Sequence, residues 1–353
     1  MHGAAGAGPW GAALEKHVLV TGGAGYIGSH ACKALRAAGY VPVTYDNLIT
    51  GWPQAVRFGP FERGDIADRE RLAQVFARWE PVAVMHFAAL SQVGEAMRQP
   101  GRYWRANTAA SLTLIETAVE AGCRDFIFSS TCATYGDQDG VMLDETPPQC
   151  PINAYGASKR AIEDMLRDFG GRGLRAVIFR YFNVAGADPE GEVGEFHGPE
   201  THLIPLILEA IAGRRDGLTV FGTDYPTPDG TCIRDYVHVS DLVDAHVRGL
   251  RLLKADRIAA GTPEVFCLGS GHGFSVREVI EAAGCITNRP VPVTMGERRA
   301  GDAVRLVCGS GKAAEMLGWQ PGRSSLPVMI EDAWRVQRDT LWDRSRPGGP
   351  MLR

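Results

Sequence analysis

The chain has 353 residues, a mass of 38.1 kDa and a formal net charge of -4 at pH 7. This length is enough for a full core, either as one large α/β domain with a cap or as about two domains. Hydrophobic residues make up 45% of the chain, but no apolar run approaches the roughly 18 residues that a membrane helix needs. The acidic balance argues against a general nucleic-acid binder, although local arginines could still meet a phosphate-bearing ligand. We therefore expect neither a membrane nor a nucleic-acid partner.

The two ends of the chain and its cysteines give further limits. Residues 1–15 are rich in Gly and Ala and lack a basic segment ahead of an apolar one, which predicts a disordered extension rather than a signal peptide. Residues 346–353 are predicted to be a loose tail. The eight cysteines form no Cys-x-x-Cys pair, so we expect no metal site and no disulfide framework. A cytoplasmic location fits these features.

Short apolar runs alternate with helical patterns in the first half of the chain. Strands are predicted at 17–21, 41–45, 61–63, 82–87, 125–129 and 176–180, and helices after the first strand, at 68–79, at 103–121 and around residues 154–169. The near-continuous apolar runs at 82–87 and 125–129 are typical of parallel strands that are buried on both faces. The alternation predicts an α/β fold of the Rossmann type, with a doubly wound parallel sheet.

The alternation loosens after Asn183. A Gly- and acid-rich loop precedes a helix at 203–212, followed by a strand at 218–221, a helix at 240–253, a strand at 265–268 and a helix whose capping box is formed by Ser275 and Glu278. We predict a first domain at 16–185, onto which 235–268 packs back. A smaller C-terminal α/β region is predicted at 186–345.

A glycine-rich loop follows the first predicted strand and begins a helix. Gly22, Gly25 and Gly28 have the spacing G-x-x-G-x-x-G, in which the missing Cβ atoms permit a tight turn, close approach of a pyrophosphate and close packing of the helix. The amides at the helix N-terminus then face the anion. Glycines of this spacing can also serve turn formation alone, but the strand–loop–helix context predicts dinucleotide binding.

Asp46 indicates which dinucleotide is bound. It ends the second predicted strand, near the offset of roughly 20 residues expected for a carboxylate that binds the adenosine ribose. Its charge would repel a 2′-phosphate, and Asn47 and the residues that follow supply no cation, so NAD is favoured over NADP. Asp65 and Ile66, after the third strand, are candidates for adenine contact, with an acidic turn residue as the alternative.

Tyr155 and Lys159 lie four residues apart, on one face of a predicted helix. The ammonium group is expected to lower the phenol pKa and to make Tyr155 a usable base near neutral pH. Ser129, Ser130 and Thr131 end a central strand, at the edge of a parallel sheet where ligands bind. An ordinary aromatic residue beside a solvated lysine is the alternative, but together these groups predict redox chemistry on a hydroxyl.

Several further stretches stand beside these motifs: Tyr26-Ile27-Gly28-Ser29-His30, Ser129-Ser130, Tyr135-Gly136-Asp137, Arg180-Tyr181-Phe182-Asn183 and Gly230-Thr231-Cys232-Ile233-Arg234-Asp235-Tyr236-Val237-His238-Val239. With them, the chain resembles the extended short-chain dehydrogenases/reductases and, among these, the branch of the UDP-glucose 4-epimerases. The resemblance covers about residues 17–340. It implies that 16–185 binds NAD and that 186–345 binds a UDP-sugar.

The resemblance also implies a mechanism. Tyr155 would be the acid/base, Lys159 would hold the nicotinamide ribose, and Thr131 would hydrogen-bond the reacting sugar hydroxyl. A hydride would pass from the sugar to NAD and return to the opposite face of a transient 4-keto sugar, interconverting UDP-galactose and UDP-glucose. The implied NAD-binding residues are Gly22, Gly25, Tyr26, Ile27, Gly28, Asp46, Asn47, Asp65, Ile66, Phe87, Ala88, Ala89, Asn107, Ser129, Tyr155, Lys159 and Tyr181.

For the substrate, the resemblance implies contacts from Thr131, Tyr155, Asn183, Leu203, Phe221, Arg234, Arg299 and Asp302. The two arginines would neutralise the diphosphate through their forked donors, and the carboxylate of Asp302 would accept a hydrogen bond from the uridine ribose. Phe221 would lie beside uracil, with a buried strand residue as the alternative. A homodimer, built through helices at 103–121 and 154–169, is also implied.

Two positions depart from the pattern of this branch. Ser91 stands where some members carry a lysine near the cofactor phosphates, which leaves the tightness of NAD retention open. Leu306 stands near the sugar pocket and is intermediate in bulk, which leaves turnover of N-acetylhexosamines open.

Three other functions are alternatives to the expected epimerase. An epimerase of UDP-pentoses would use the same catalytic groups and stays open. A 4,6-dehydratase needs an acid/base pair after Thr131, where Cys132 and Ala133 stand instead. A non-catalytic NAD-sensing regulator would have no use for Thr131, Tyr155 and Lys159 together.

Overall fold

The structure is a computed structural model that describes residues 16–138, 142–299 and 302–338. The extension predicted at 1–15 and the tail predicted at 346–353 lie outside the described residues. Within the described ranges, no helix has the length and apolar character that a membrane crossing requires.

The strands of the described residues are β1 (His17–Thr21), β2 (Val41–Asp46), β3 (Phe61–Arg63), β4 (Ala83–His86), β5 (Asp125–Thr131), β6 (Met142–Leu143), β7 (Arg175–Tyr181), β8 (Asn183–Ala185), β9 (Leu218–Phe221), β10 (Ile233–His238), β11 (Glu264–Leu268), β12 (Gly273–Ser275), β13 (Val293–Gly296) and β14 (Arg305–Cys308). The α-helices are α1 (Tyr26–Ala37), α2 (Arg69–Trp79), α3 (Val93–Arg98), α4 (Pro100–Tyr103), α5 (Ala110–Glu120), α6 (Ala154–Asp168), α7 (Leu203–Ile211), α8 (Val239–Lys254), α9 (Val276–Thr287), α10 (Gly311–Leu317) and α11 (Leu326–Arg338).

Seven parallel strands form the central sheet in the order β3-β2-β1-β4-β5-β7-β11. Side chains alternate between its two faces. Val18 and Val20 of β1 pack with α1, α8 and α10, whereas Leu19 packs with α2, α5 and α6. Helices therefore cover both faces, which explains the near-continuous apolar strands. The predicted Rossmann-type fold is confirmed.

The strand order reverses between β1 and β4. From β1 the chain proceeds outward through β2 and β3, and it then returns to build β4, β5, β7 and β11 on the other side. In a doubly wound sheet the ligand lies in the crevice beyond the carboxyl ends of the strands at this reversal. The strand order alone therefore indicates that the ligand site lies at the carboxyl ends of β1 and β4.

Most of the remaining described residues form a smaller α/β unit. Its sheet runs in the order β12-β10-β14-β6, with β8 also paired to β10, and β9 pairs with β13 in a separate two-stranded sheet. The predicted capping box at α9 is confirmed, since the Ser275 hydroxyl accepts a hydrogen bond from the Glu278 amide and the Glu278 carboxylate accepts one from the Ser275 amide. β11 joins the central sheet beside β7, and α8 packs on α1.

Candidate active site

The loop between β1 and α1 brings backbone amides to the carboxyl end of the sheet. Gly22 has a φ of +72°, and a Cβ there would lie 2.6 Å from the amide nitrogen of Ala88. A Cβ on Gly28 would lie 2.1 Å from the carbonyl oxygen of Gly22, so both positions require glycine. α1 begins after Gly25 without a side-chain cap. Its first amides are therefore available to an anion such as a pyrophosphate.

Tyr26 and Ile27 occupy the first turn of α1. The Tyr26 hydroxyl donates a 2.7 Å hydrogen bond to the carbonyl oxygen of Gly186, and Ile27 packs against the core on the α1 side of the sheet. Their side chains are thus used within the protein. Any contact they make with a pyrophosphate comes from their backbone amides.

Asp46 ends β2, and its carboxylate accepts hydrogen bonds from the amides of Ala24 (3.0 Å) and Leu48 (2.8 Å). Burial raises the pKa of this carboxyl, and the two amide bonds act in the opposite direction. Because each oxygen accepts one of these bonds, each retains a lone pair for a ribose hydroxyl. Asn47 donates a 2.8 Å hydrogen bond to the Asp65 carboxylate. The structure therefore brings the three predicted polar residues of this edge together.

The segment after β4 closes the other side of the crevice. The amides of Phe87 and Ala88 both donate to the Thr21 carbonyl oxygen, at 3.0 and 3.1 Å, so the chain turns across the end of β1. Ala89 follows in the same half-buried segment. Ile66, by contrast, is buried in the core on the α2 side.

Asn107 lies in a π-helical run, Trp104–Ala109, where the sequence predicted a regular helix. Its Oδ1 accepts a hydrogen bond from the Leu90 amide (2.8 Å), and its Nδ2 donates to the Leu90 carbonyl (3.0 Å) and to the Ser158 hydroxyl (3.1 Å). Both amide hydrogens are therefore used within the protein. We infer that Asn107 fixes the loop after β4 against α6, a role that differs from the direct cofactor contact implied by the resemblance.

α6 presents Tyr155 and Lys159 one turn apart, towards the end of β5. The helix begins after Asn153, whose side chain accepts a 2.9 Å hydrogen bond from the Gly156 amide. The Lys159 side chain is buried, and its ammonium donates a 2.7 Å hydrogen bond to the Ser129 carbonyl oxygen. This bond attaches α6 to the strand that carries the predicted hydroxyls.

Two further predicted residues lie beside this bond. The hydroxyls of Ser129 and Tyr181 are hydrogen-bonded to each other, and Tyr181 lies opposite Thr131 in the pairing of β7 with β5. Burial raises the pKa of Tyr181, the Ser129 hydrogen bond lowers it, and Tyr155 raises it further. The structure therefore groups these residues at one strand end.

The ionisation of the tyrosine and lysine differs from the expectation. Burial raises the pKa of Tyr155 to about 12; the hydrogen bond from Thr131 lowers it and the neighbouring Cys132 raises it. Burial lowers the pKa of Lys159 to about 7, against the opposing effect of Glu163. The expectation that Lys159 lowers the phenol pKa is therefore wrong, because Lys159 is not among the groups that shift it. The physical reason is that the ammonium is desolvated and bonded to a strand carbonyl.

A buried ionic network behind the strand was missed by the sequence analysis. The Ser130 hydroxyl donates to Glu163 at 2.5 Å, and the Arg180 guanidinium pairs with the same carboxylate at 2.6 Å. Arg180 also donates to the Tyr135 hydroxyl at 2.9 Å. Glu163 lies one turn beyond Lys159 on α6, and this spacing is the signal that could have indicated it.

Four predicted substrate residues meet in one cluster. Arg234 pairs with the Asp302 carboxylate, and the Asp302 amide donates to the Arg299 carbonyl at 3.3 Å. The Arg299 guanidinium lies 3.9 Å from the centre of the Phe221 ring, a cation–π arrangement. Leu306 pairs with Arg234 across β14 and β10. Each arginine therefore already has a partner within the protein, which the sequence did not predict.

The remaining predicted positions lie outside the cluster around Arg234. Asn183 begins β8 and hydrogen-bonds Tyr236, whereas Leu203 begins α7 and packs in the core of the smaller unit. Ser91 is exposed. Cys132, which follows Thr131, packs in the same hydrophobic cluster as Leu306, the residue paired with Arg234. The arginine cluster and the end of β5 therefore belong to the same region.

Comparisons with known proteins agree with this geometry. The NAD dependent epimerase/dehydratase family matches residues 18–266. The chain is 50% identical to the UDP-glucose 4-epimerase of Rhizobium meliloti over 321 residues, which cover 91% of this chain and 96% of that protein. The crystal structure of the Brucella ovis UDP-glucose 4-epimerase in complex with NAD is 48% identical, with a TM-score of 0.87, covering 91% of this chain and 98% of the other.

A second solved structure, the Bifidobacterium longum UDP-glucose 4-epimerase in complex with NAD+ and UDP, is 34% identical, with a TM-score of 0.85, covering 92% of this chain and 99% of that one. The chain belongs to the NAD dependent epimerase/dehydratase family. The predicted resemblance to the UDP-glucose 4-epimerases is confirmed. NAD as the cofactor and an isomerase as the class of enzyme are confirmed with it.

Thr131→Val tests the hydrogen bond that lowers the Tyr155 pKa. Without the hydroxyl, Tyr155 ionises at higher pH, and turnover at neutral pH falls by about 10- to 100-fold, the effect of losing a hydrogen bond of about 1.5–3 kcal/mol to a charged group. The measurement is the pH dependence of turnover, with bound NAD quantified in the same samples. Thr131→Ser keeps the hydroxyl and is the matched control. A wild-type pH profile in Thr131→Val would contradict this account.

Proposed function

We propose that the protein interconverts UDP-galactose and UDP-glucose through a transient 4-keto sugar, with NAD bound throughout. The observation that carries the proposal is the position of α6 at the carboxyl end of β5. Tyr155 and Lys159 lie one turn apart on this helix, the Lys159 ammonium donates a 2.7 Å hydrogen bond to the Ser129 carbonyl oxygen, and Thr131 ends the same strand. The similarity to UDP-glucose 4-epimerases supports the choice of substrate.

The residues around the crevice fit NAD. The uncapped N-terminus of α1 suits the pyrophosphate, and the remaining lone pairs of Asp46 suit the hydroxyls of an adenosine ribose. Its charge opposes a 2′-phosphate. Bound NAD would supply a hydride acceptor and a positive charge at the sugar. Phe87 and Ala88, at the end of β4, and Ser129 and Tyr181, near the ends of β5 and β7, would lie along the same crevice.

Proton transfer is assigned to Tyr155. Its Oη takes the proton of the sugar 4-hydroxyl during oxidation at C4 and gives it back during reduction. Thr131 hydrogen-bonds to the reacting oxygen, and Lys159 orients the nicotinamide ribose. A phenol with a pKa near 12 is protonated at neutral pH, so a positive charge in the loaded site is needed to lower that pKa.

Inversion at C4 requires that both faces of the keto sugar reach the same hydride position. The UDP end is the part that must stay fixed while the sugar turns. We assign this anchoring to Arg234, Arg299, Asp302 and Phe221, together with Asn183 and Leu203. Arg234 would exchange its Asp302 partner for a phosphate oxygen, and the exposed Arg299 would leave the face of the Phe221 ring to follow the diphosphate.

UDP-N-acetylhexosamines and UDP-pentoses are alternative substrates of the same chemistry. Leu306 lies beside Arg234, in the cluster assigned to the substrate, and its intermediate bulk selects against neither. A 4,6-dehydratase is disfavoured by Cys132, because burial raises the pKa of this thiol to about 12 and leaves it a poor acid/base at neutral pH. A regulator without catalysis has no need for the Thr131–Tyr155 bond.

Purified protein given UDP-galactose and no added NAD is expected to form UDP-glucose without releasing reduced cofactor, because the hydride is returned in each cycle. Chromatography of the sugar nucleotides measures the product. Tyr155→Phe is expected to lower turnover by about 10²- to 10⁴-fold with NAD content unchanged. A 4-keto-6-deoxy product, or no turnover by protein that contains NAD, would contradict the proposal. UDP-xylose and UDP-N-acetylgalactosamine test the alternatives.

We further propose a homodimer formed through α5 and α6 and the helices beside them. Met97 of α3 and Trp104 at the start of the π-helical run are 64% and 42% exposed, so a partner on this side would cover apolar surface. Sedimentation velocity is expected to give about twice the chain mass, and Trp104→Glu is expected to shift the protein towards the monomer. A wild-type monomer at micromolar concentration would refute the dimer.

A further inference from the structure

The loop between β8 and α7 contains a compact group of metal-binding side chains. Glu195, His197, Glu200 and His202 each offer one ligand atom, and these four atoms all lie within 4.8 Å of one another. The group is formed by residues that are close in sequence, so it needs no distant element to assemble it. None of the four was singled out by the sequence analysis.

The distances within the group suit a tetrahedral ion. The His197 Nδ1 lies 3.4 Å from an oxygen of Glu195 and 3.4 Å from one of Glu200, and the His202 Nδ1 lies 3.1 and 2.9 Å from oxygens of the same two carboxylates. Tetrahedral zinc with bonds of about 2.0–2.1 Å separates its ligand atoms by about 3.3–3.4 Å. Small changes in these four separations would therefore accommodate the ion.

Two buried atoms at the centre of the group have unmet hydrogen-bonding capacity. The Glu195 side chain is only 7% exposed, and its Oε1 accepts no hydrogen bond, although both imidazoles face it. The His197 Nδ1 is likewise buried without a hydrogen bond. Buried polar atoms normally have partners, and a metal ion at this point would satisfy both.

A neighbouring group of three carboxylates differs from this one in that a lysine already neutralises it. Asp188, Glu190 and Glu192 also converge, but the Lys33 ammonium lies 2.8, 2.6 and 2.7 Å from their carboxylates and supplies the cation. Within the described part of the chain, Glu195 and Glu200 form their ion pairs with His197 and His202. No lysine or arginine takes the corresponding place in those pairs.

We propose that Glu195, His197, Glu200 and His202 bind one zinc ion. Two imidazole nitrogens and two carboxylate oxygens form a donor set that suits zinc, whereas magnesium and calcium prefer oxygen alone. The His202 side chain is 46% exposed, which gives the ion a route from solvent. The proposal departs from the sequence-based expectation that the protein has no metal site.

The position of the ion indicates a structural role. The His197 ring packs edge-on against Tyr26, with centroids 6.4 Å apart, and Trp52 donates a 2.9 Å hydrogen bond from its Nε1 to the Phe196 carbonyl. Tyr26 is the first residue of α1, beside the glycine loop. An ion that fixes this loop would therefore stabilise the wall behind the cofactor pyrophosphate. It would take no part in the chemistry at Tyr155.

The test begins with metal analysis of the full chain. Protein purified without chelator, incubated with zinc chloride and desalted is expected to retain about one zinc per chain. X-ray absorption of this sample is expected to give nitrogen and oxygen scatterers at about 2.0–2.1 Å and no sulfur. Chelator is expected to lower its melting temperature, because the ion binds the folded state.

Variants then locate the ion. Glu195→Gln and His202→Gln are expected to lose at least nine tenths of the zinc and the response of the melting temperature to chelator. Glu190→Gln, in the group held by Lys33, is the matched control and keeps both. Wild-type protein that retains less than a tenth of an equivalent, a sulfur-containing zinc site, or Glu195→Gln and His202→Gln that retain full zinc would overturn the proposal. The absorption spectrum of the wild type decides the matter if a variant fails to fold.

Discussion

The reversal of strand order between β1 and β4 is the constraint on which the rest of the site depends. It leaves the carboxyl ends of these two strands free for a ligand. The amides of Phe87 and Ala88 donate to the Thr21 carbonyl oxygen and join the two strand ends there, and β5 brings Thr131 to the same edge beside them. Groups from widely separated parts of the chain therefore meet in one crevice, and α6 adds Tyr155 from outside the sheet.

The burial of Tyr155 and Lys159 between α6 and the sheet determines how these two groups ionise. Burial raises the pKa of Tyr155 and lowers that of Lys159, so it favours the neutral form of both groups. Glu163 opposes this effect on Lys159 but is itself held by Arg180 and Ser130. Acid–base chemistry at Tyr155 therefore depends on what binds in the crevice. Coupling of this kind suits a reaction in which the cofactor is retained and reused.

Features that depend on local sequence could be predicted, whereas those set by distant packing could not. The glycine loop and the Ser275–Glu278 capping box follow from backbone geometry within a few residues, and the seven-stranded sheet follows from the apolar runs. The π-helical run at Asn107 is different, because the side-chain amide of Asn107 forms hydrogen bonds with the backbone of Leu90 and with the Ser158 hydroxyl, which are distant in sequence. The pairing of Arg234 with Asp302 likewise depends on β14 lying beside β10, a register that nothing near either residue in the sequence reveals.

The central claim is that one hydride leaves C4 and returns to C4 while Tyr155 carries only the proton. UDP-galactose labelled with deuterium at C4 tests this claim most directly, with mass spectrometry and NMR of the UDP-glucose formed. Deuterium is expected to be retained at C4 of the product, because the hydride returned comes from the same carbon and does not exchange with water. Replacement of the label by solvent hydrogen would contradict it, since the bond at C4 would then be broken by proton abstraction.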